Sequence, residues 1–224
     1  MMTVFTKFYD SPEFNKGEIL RYAGVKKADA ETEKLLESCL DECQNGFSYK
    51  VCFAEADIFR DGETLHIGKV EAKGEAIKKN LEGCEKAVLF AATVGIGIDR
   101  LTVKYSGLSP SKALMFQAIG AERIEALCNV FNREMCEKYS AEKLFLRPRF
   151  SPGYGDFPLM AQKDMFAVLD CPRKIGLSLN ESLVMTPSKS VTAIIGISAE
   201  KRNSAGKCEN CTLKECSYKN EGKR

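Results

Sequence analysis

Residues 146–198, LRPRFSPGYGDFPLMAQKDMFAVLDCPRKIGLSLNESLVMTPSKSVTAIIGIS, carry most of the punctuation that decides this fold. The run opens on Arg149-Phe150-Ser151-Pro152-Gly153-Tyr154-Gly155, which sets a guanidinium fork beside a proline-fixed turn, a glycine with bare backbone and an aromatic ring. Such a loop suits a ligand with a carboxylate and a flat ring. It also suits a plain connection between a helix and the next element, and composition does not separate the two readings. A short helix is predicted over residues 160–169. GLSL follows, and then SLVMT and SVTAIIGIS read as two strands around the turn at residues 187–189.

Upstream of this run, Ser109 and Pro110 supply start chemistry for a long helix, because serine caps and proline fits the first helical position. Ala113, Phe116, Gly120, Ile124, Leu127, Phe131 and Met135 recur every three or four residues, which predicts helix to about Tyr139. Gly120, with Ala118 and Ala121, leaves room for a close neighbour. Residues 28–44 form an amphipathic helix through Leu35, Leu36, Cys39, Leu40 and Cys43, with Gly46 as its stop. YKVCFAEADIF alternates up to Asp61-Gly62, a hairpin dipeptide, and ETLHI returns. Ile77, Leu81 and Cys84 share one face, and AVLFAATVG reads as a buried strand. Hairpin strands mixed with helices, without regular strand-helix alternation, predict an α+β fold: a mainly antiparallel twisted sheet with flanking helices. The polar segment at residues 201–224 has too few apolar residues for a core, so the expected division is 1–200 and a Cys-containing tail, 201–224.

Composition narrows the chemistry. At 224 residues the chain can bury a core unaided, and 33 Lys and Arg against 31 Asp and Glu leave a formal charge of +2, which disfavours nucleic-acid binding by bulk charge. No apolar run approaches the roughly 18–20 residues of a membrane span, and MMTVFTKFYD lacks a signal-peptide core, so a cytoplasmic protein is expected. A single histidine, His66, excludes His-dependent triads and HExxH zinc sites. Its alternation in TLHIG favours a strand surface over catalysis. VLFAATVGIGIDR resembles a dinucleotide fingerprint only as far as Gly95 and Gly97, since Arg100 stands where a small residue is needed; a strand-to-helix turn is the preferred reading.

Of ten cysteines, seven lie in periodic segments, where a thiol behaves as a small hydrophobe. Cys208, Cys211 and Cys216 form a cluster with the spacing of a zinc or iron-sulfur site one ligand short, with Cys171 as a candidate fourth. Lys207, Lys214 and Lys219 would favour thiolates there. The other reading is a tail of reactive thiols without metal.

In this light the quoted run resembles the activation domain of cobalamin-dependent methionine synthase. That family's Arg-Pro-Ala-Pro-Gly-Tyr signature, helix, Gly-x-x-Leu-x-Glu-Ser segment and Pro-x-x-Ser-Val strand pair are matched in order by RFSPGY, KDMFAVLD, Gly176 to Ser182 and Pro187 to Val191. A weaker similarity covers Ala121-Glu122-Arg123-Ile124-Glu125-Ala126. The resemblance implies an S-adenosylmethionine (AdoMet) site in which Arg149 holds the methionyl carboxylate, Ser151 and Gly153 offer backbone contacts and Tyr154 lines the pocket. The family's helix glutamate falls on Glu125 in preference to Glu122. Its N-terminal aspartate has no matching position, and its late tyrosine is missing.

The resemblance further implies an accessory module for reductive methylation of cob(II)alamin, using an electron from a flavodoxin-like or ferredoxin-like donor and a methyl group from AdoMet. No catalytic acid, base or nucleophile is assigned, because the cofactors carry the chemistry. The cobalamin would be presented by a partner, a cobalamin-dependent methionine synthase or another corrinoid protein. Around His66 the cobalt-ligating pattern Asp-x-His-x-x-Gly is absent, and the chain has no room for homocysteine, folate and cobalamin modules. A stand-alone protein acting in trans is expected. The reading from a different class is a metal-binding redox or regulatory protein acting through the Cys tail.

Overall fold

The computed structural model describes residues 2–201. In chain order the elements are β1 (Phe5–Tyr9), α1 (Lys16–Tyr22), α2 (Ala30–Cys43), β2 (Tyr49–Asp61), β3 (Thr64–Ile67), β4 (Val70–Lys73), α3 (Glu75–Asn80) and β5 (Lys86–Thr93). There follow α4 (Gly97–Ser106), α5 (Pro110–Ala141), β6 (Phe145–Leu146), α6 (Ala161–Leu169), α7 (Cys171–Ile175), β7 (Ser178–Leu179), β8 (Met185–Thr186) and β9 (Ser190–Ser198). The architecture is α+β. Seven strands form one sheet in the order β4-β3-β2-β5-β9-β6, with β1 also paired to β2, and every pairing is antiparallel.

Strand alternation sorts side chains onto two buried faces. Val88, Phe90 and Ala92 of β5 join Val51 and Phe53 of β2 under α1, α2, α4 and α5. Their neighbours Ala87, Leu89 and Ala91 join Cys52 and Ala54 under α6 and α7. Phe131 of α5 packs between Phe53 and Phe90, with ring centroids 5.3 and 4.9 Å away. Full burial of each such ring stabilises by about 1.5–3 kcal/mol.

Several local expectations hold. Ser109 caps α5, with Pro110 next, and α5 runs two residues past Tyr139, while α2 begins two residues later than expected, at Ala30 behind an Asp29 cap. Asp61 pairs with Thr64 across the turn at Gly62, and His66 stands opposite Phe59 on the hairpin. A side chain at Gly120 would meet Lys189 at 2.8 Å and Ile98 at 3.2 Å, so α5 is indeed closely approached there. GIGIDR is the turn from β5 into α4. A Cβ on Gly97 would run into the Gly46 carbonyl, so this glycine serves backbone packing.

One expectation changes. SLVMT and SVTAIIGIS flank the Pro187 turn but do not pair with each other. β8 pairs back with β7 in a separate two-stranded sheet, while β9 inserts between β5 and β6. The reason is burial: eight of the nine β9 residues, all but Val191, are buried, which requires a central position, whereas Thr186 is exposed.

Glu42 ties α2 to α4 and α5. Its carboxylate accepts from Lys104 Nζ at 2.9 Å, Tyr105 OH at 2.8 Å and Lys112 Nζ at 3.2 Å. These bonds, that of Lys104 first, hold it down at about 2 from the ordinary 4.5. A depressed carboxylate stabilises the fold above its unfolded pKa and loses that contribution as pH falls. Glu42→Gln should cost about 1 kcal/mol at pH 7, discounted for solvent screening. In urea titrations over a pH series, the gap from wild type should close between pH 4.5 and about 2; a gap independent of pH would contradict this.

Candidate functional site

A cleft of about 500 Å³ lies between α5 and the N-terminal segment that leads into α1. On the N-terminal side it is lined by Glu13, Asn15, Glu18 and Tyr22, and on the α5 side by Glu122, Glu125, Asn129 and Arg133. Arg123 builds this wall. Its fully buried guanidinium donates to the Glu122 carboxylate through Nε at 2.6 Å and Nη2 at 2.7 Å, and to the carbonyls of Pro12 and Glu13, the latter at 2.6 Å. Glu122 in turn accepts Asn15 N–H at 3.3 Å, and the Asn15 side chain caps α1 at Glu18. Burial would lower the Arg123 pKa, but hydrogen bonding to Glu122 leaves it raised, so the group stays charged.

Arg149 reaches the cleft rim through an irregularity in the sheet edge. Leu146 pairs with Ile197 and Phe150 with Ile194, so four steps on one strand face three on the other, a one-residue bulge around Pro148. In a regular strand Arg147 and Arg149 would share a face. Here Arg147 is buried against Ser198 Oγ at 3.1 Å and the carbonyls of Glu82 and Glu200. Arg149 instead turns to α5, where Nη2 donates to Glu125 Oε2 at 3.2 Å and Asn129 Oδ1 at 3.0 Å. Its Nη1 is buried without a hydrogen-bond partner among the described residues.

The following loop is held at several points. Gly153, at φ +90°, donates its N–H to Phe157 O at 2.8 Å, and buried Phe157 anchors the far end. Asp156 accepts the N–H groups of Glu75 and Ala76 at the start of α3, bonds that hold its pKa below the usual carboxylate value. Tyr154 is 69% exposed. Of the residues expected from sequence, Glu125 lines the cleft, and Arg149, itself outside the lining, bonds to it. Ser151, Gly153 and Tyr154 lie on the same loop, outside the cleft lining.

The reading of the sequence passed over Glu13, Asn15, Glu18 and Tyr22, which no local pattern connects to α5. It also passed over the Glu122–Arg123 pair, for which a signal exists: Arg123 occupies an apolar-face position, four residues before Leu127. The cluster Cys208, Cys211 and Cys216 lies outside the described residues. Cys171, the first residue of α7, is fully buried against the sheet, its Sγ 4.0 Å from that of Cys52, and this contact together with burial pushes its thiol far up. That removes it as an accessible fourth ligand. Among the described residues no group of three His, Cys, Asp or Glu side chains is placed to hold a metal, and no helix is long and apolar enough to cross a membrane.

The family described as vitamin B12 dependent methionine synthase, activation domain, matches residues 74–217. No curated protein matches the chain. Among solved structures, a MetH reactivation domain bound to AdoHcy is similar with a TM-score of 0.64, at 14% identity over 90% of this chain and 80% of that one. At that identity the likeness speaks for the fold.

Proposed function

The chain belongs to the activation domain family of vitamin B12-dependent methionine synthase, and from that premise we propose that it binds AdoMet at the cleft and supports remethylation of a cobalamin carried by a methionine synthase module or a related corrinoid protein. The observation that carries this reading is Arg149. It is a guanidinium at the rim of a cleft, with Nη2 shared between Glu125 and Asn129 and a buried Nη1 that has no hydrogen-bond partner among the described residues. An α-amino acid end complements that pair, its carboxylate taking Arg149 and its ammonium taking Glu125. The cleft volume, about 500 Å³, falls within the range of small-molecule sites.

AdoMet would supply the methyl group, and an electron from a flavodoxin-like or ferredoxin-like donor would first convert cob(II)alamin to cob(I)alamin. The chain's own residues bind and orient. Arg149 and Glu125 fix the amino acid, and the Ser151 and Gly153 backbone supports the loop side, with Tyr154 exposed on the same loop. The bonds of Gly153 and Asp156 keep that loop from rearranging, and pre-set geometry is what a positioning domain contributes to a transfer between two bound groups.

The test mixes the 224-residue chain with a cob(II)alamin-loaded methionine synthase lacking an activation domain, a low-potential reductant and AdoMet. The methylcobalamin spectrum should return at least about tenfold faster than without the chain, and cobalamin free in solution should gain far less. Equal recovery with and without the chain, across several partners, would refute the proposal.

A further inference from the structure

The Arg149 guanidinium has two acceptors on α5, and they differ in charge. Nη2 donates to Glu125 Oε2 at 3.2 Å and to Asn129 Oδ1 at 3.0 Å. The two acceptors stand one helical turn apart, on the face of α5 that lines the cleft. Glu125 is the residue to which the AdoMet reading gives the ligand's ammonium, and a carboxylate shared with an ammonium is a weaker anchor for the arginine. Asn129 has no such second duty. Its amide oxygen accepts a bond without carrying a net charge, so the guanidinium it holds is not neutralised. The surroundings make that neutrality matter, because Glu13, Glu18, Glu122 and Glu125 already line the cleft, with Arg133 as the one cation in the lining among the described residues. A further carboxylate at position 129 would repel an incoming carboxylate and offset the charge meant to receive it.

We propose that Asn129 is the positioning residue of Arg149: a neutral acceptor that holds Nη2 against α5 and leaves the buried, partnerless Nη1 and the guanidinium charge to the ligand's carboxylate. The inference rests on the AdoMet reading and adds to it the residue that aims its arginine. A tether is needed because Arg149 follows the bulge at Pro148, where the regular ladder is interrupted and strand pairing no longer dictates which way a side chain points. A hydrogen bond from the neighbouring helix does.

Calorimetry with AdoMet and with decarboxylated AdoMet, which keeps the ammonium and the sulfonium but lacks the carboxylate, separates this role from a structural one. Asn129→Ala should weaken AdoMet about fivefold and decarboxylated AdoMet by less than about twofold. Placed on Arg149→Ala, the same change should be nearly silent, because the residue through which it acts is gone. Asn129→Asp keeps an acceptor in the same place, so a role confined to holding loop to helix predicts wild-type affinity. The neutral-acceptor role predicts instead a loss of about tenfold, for AdoMet alone. Asn129 is exposed, so urea midpoints of both single variants should match wild type. If wild type binds AdoMet but Asn129→Ala binds it equally well, or the two ligands lose alike, or Asn129→Asp matches wild type, the positioning role is overturned and the AdoMet reading stands. Wild type that binds no AdoMet would overturn both.

Discussion

Arg149→Ala should lose about 1.5–3 kcal/mol of AdoMet binding free energy, the range for a lost charge-assisted hydrogen bond. The fold should barely change, because the side chain gives up only two bonds, to Glu125 and Asn129 on the rim of the cleft. Arg149→Lys should recover little, since an ammonium cannot present the two parallel donors that a carboxylate accepts. Titration calorimetry beside a urea unfolding curve checks both halves. Equal AdoMet affinity in wild type and Arg149→Ala would end the assignment of the carboxylate to this residue, whatever happened to stability.

Arg123→Met should destabilise the fold by about 3–5 kcal/mol, the cost of removing one partner of a buried ion pair. The loss has two sources. Glu122, only 5% exposed, would keep a carboxylate in the interior without its counter-ion. The carbonyls of Pro12 and Glu13 would lose the donor that holds the N-terminal segment against α5. Adding Glu122→Gln should restore more than half of the lost stability, because the stranded charge disappears. It should not restore ligand binding fully, because the segment carrying Glu13 and Asn15 stays unclamped. Urea denaturation of the two single variants and the double variant gives the coupling directly. A loss below about 1 kcal/mol for Arg123→Met would show that the pair is not the clamp.

The α+β class, the helix start at Ser109, the hairpin turn at Gly62 and the choice of Arg149 and Glu125 as candidate residues were all readable from the sequence. Each depends on information local in the chain. A cap is three residues long, an amphipathic helix repeats every three or four residues, and the loop from Arg149 to Gly155 is one continuous run. The continuous apolar run AVLFAATVG likewise marks a buried strand. Membership of the activation domain family followed from ordered local matches of the same kind.

Pairing and the cleft needed the three-dimensional structure. The short segments SLVMT and SVTAIIGIS are adjacent in the chain, yet β9 left its neighbour for β5, because burial on two faces outweighs the ease of a local hairpin. The bulge at Pro148 reversed Arg149 relative to Arg147, and a one-residue slip of that kind leaves no mark on composition. The cleft joins residues 12–22 to residues 122–133, a separation of more than a hundred positions bridged by one buried guanidinium. Local sequence thus decided which elements form and which residues carry charge; which charges meet, and on which face, was decided by the packing of α5 against the sheet and the N-terminal segment, since a contact between distant positions is a property of the whole core and not of any stretch within it.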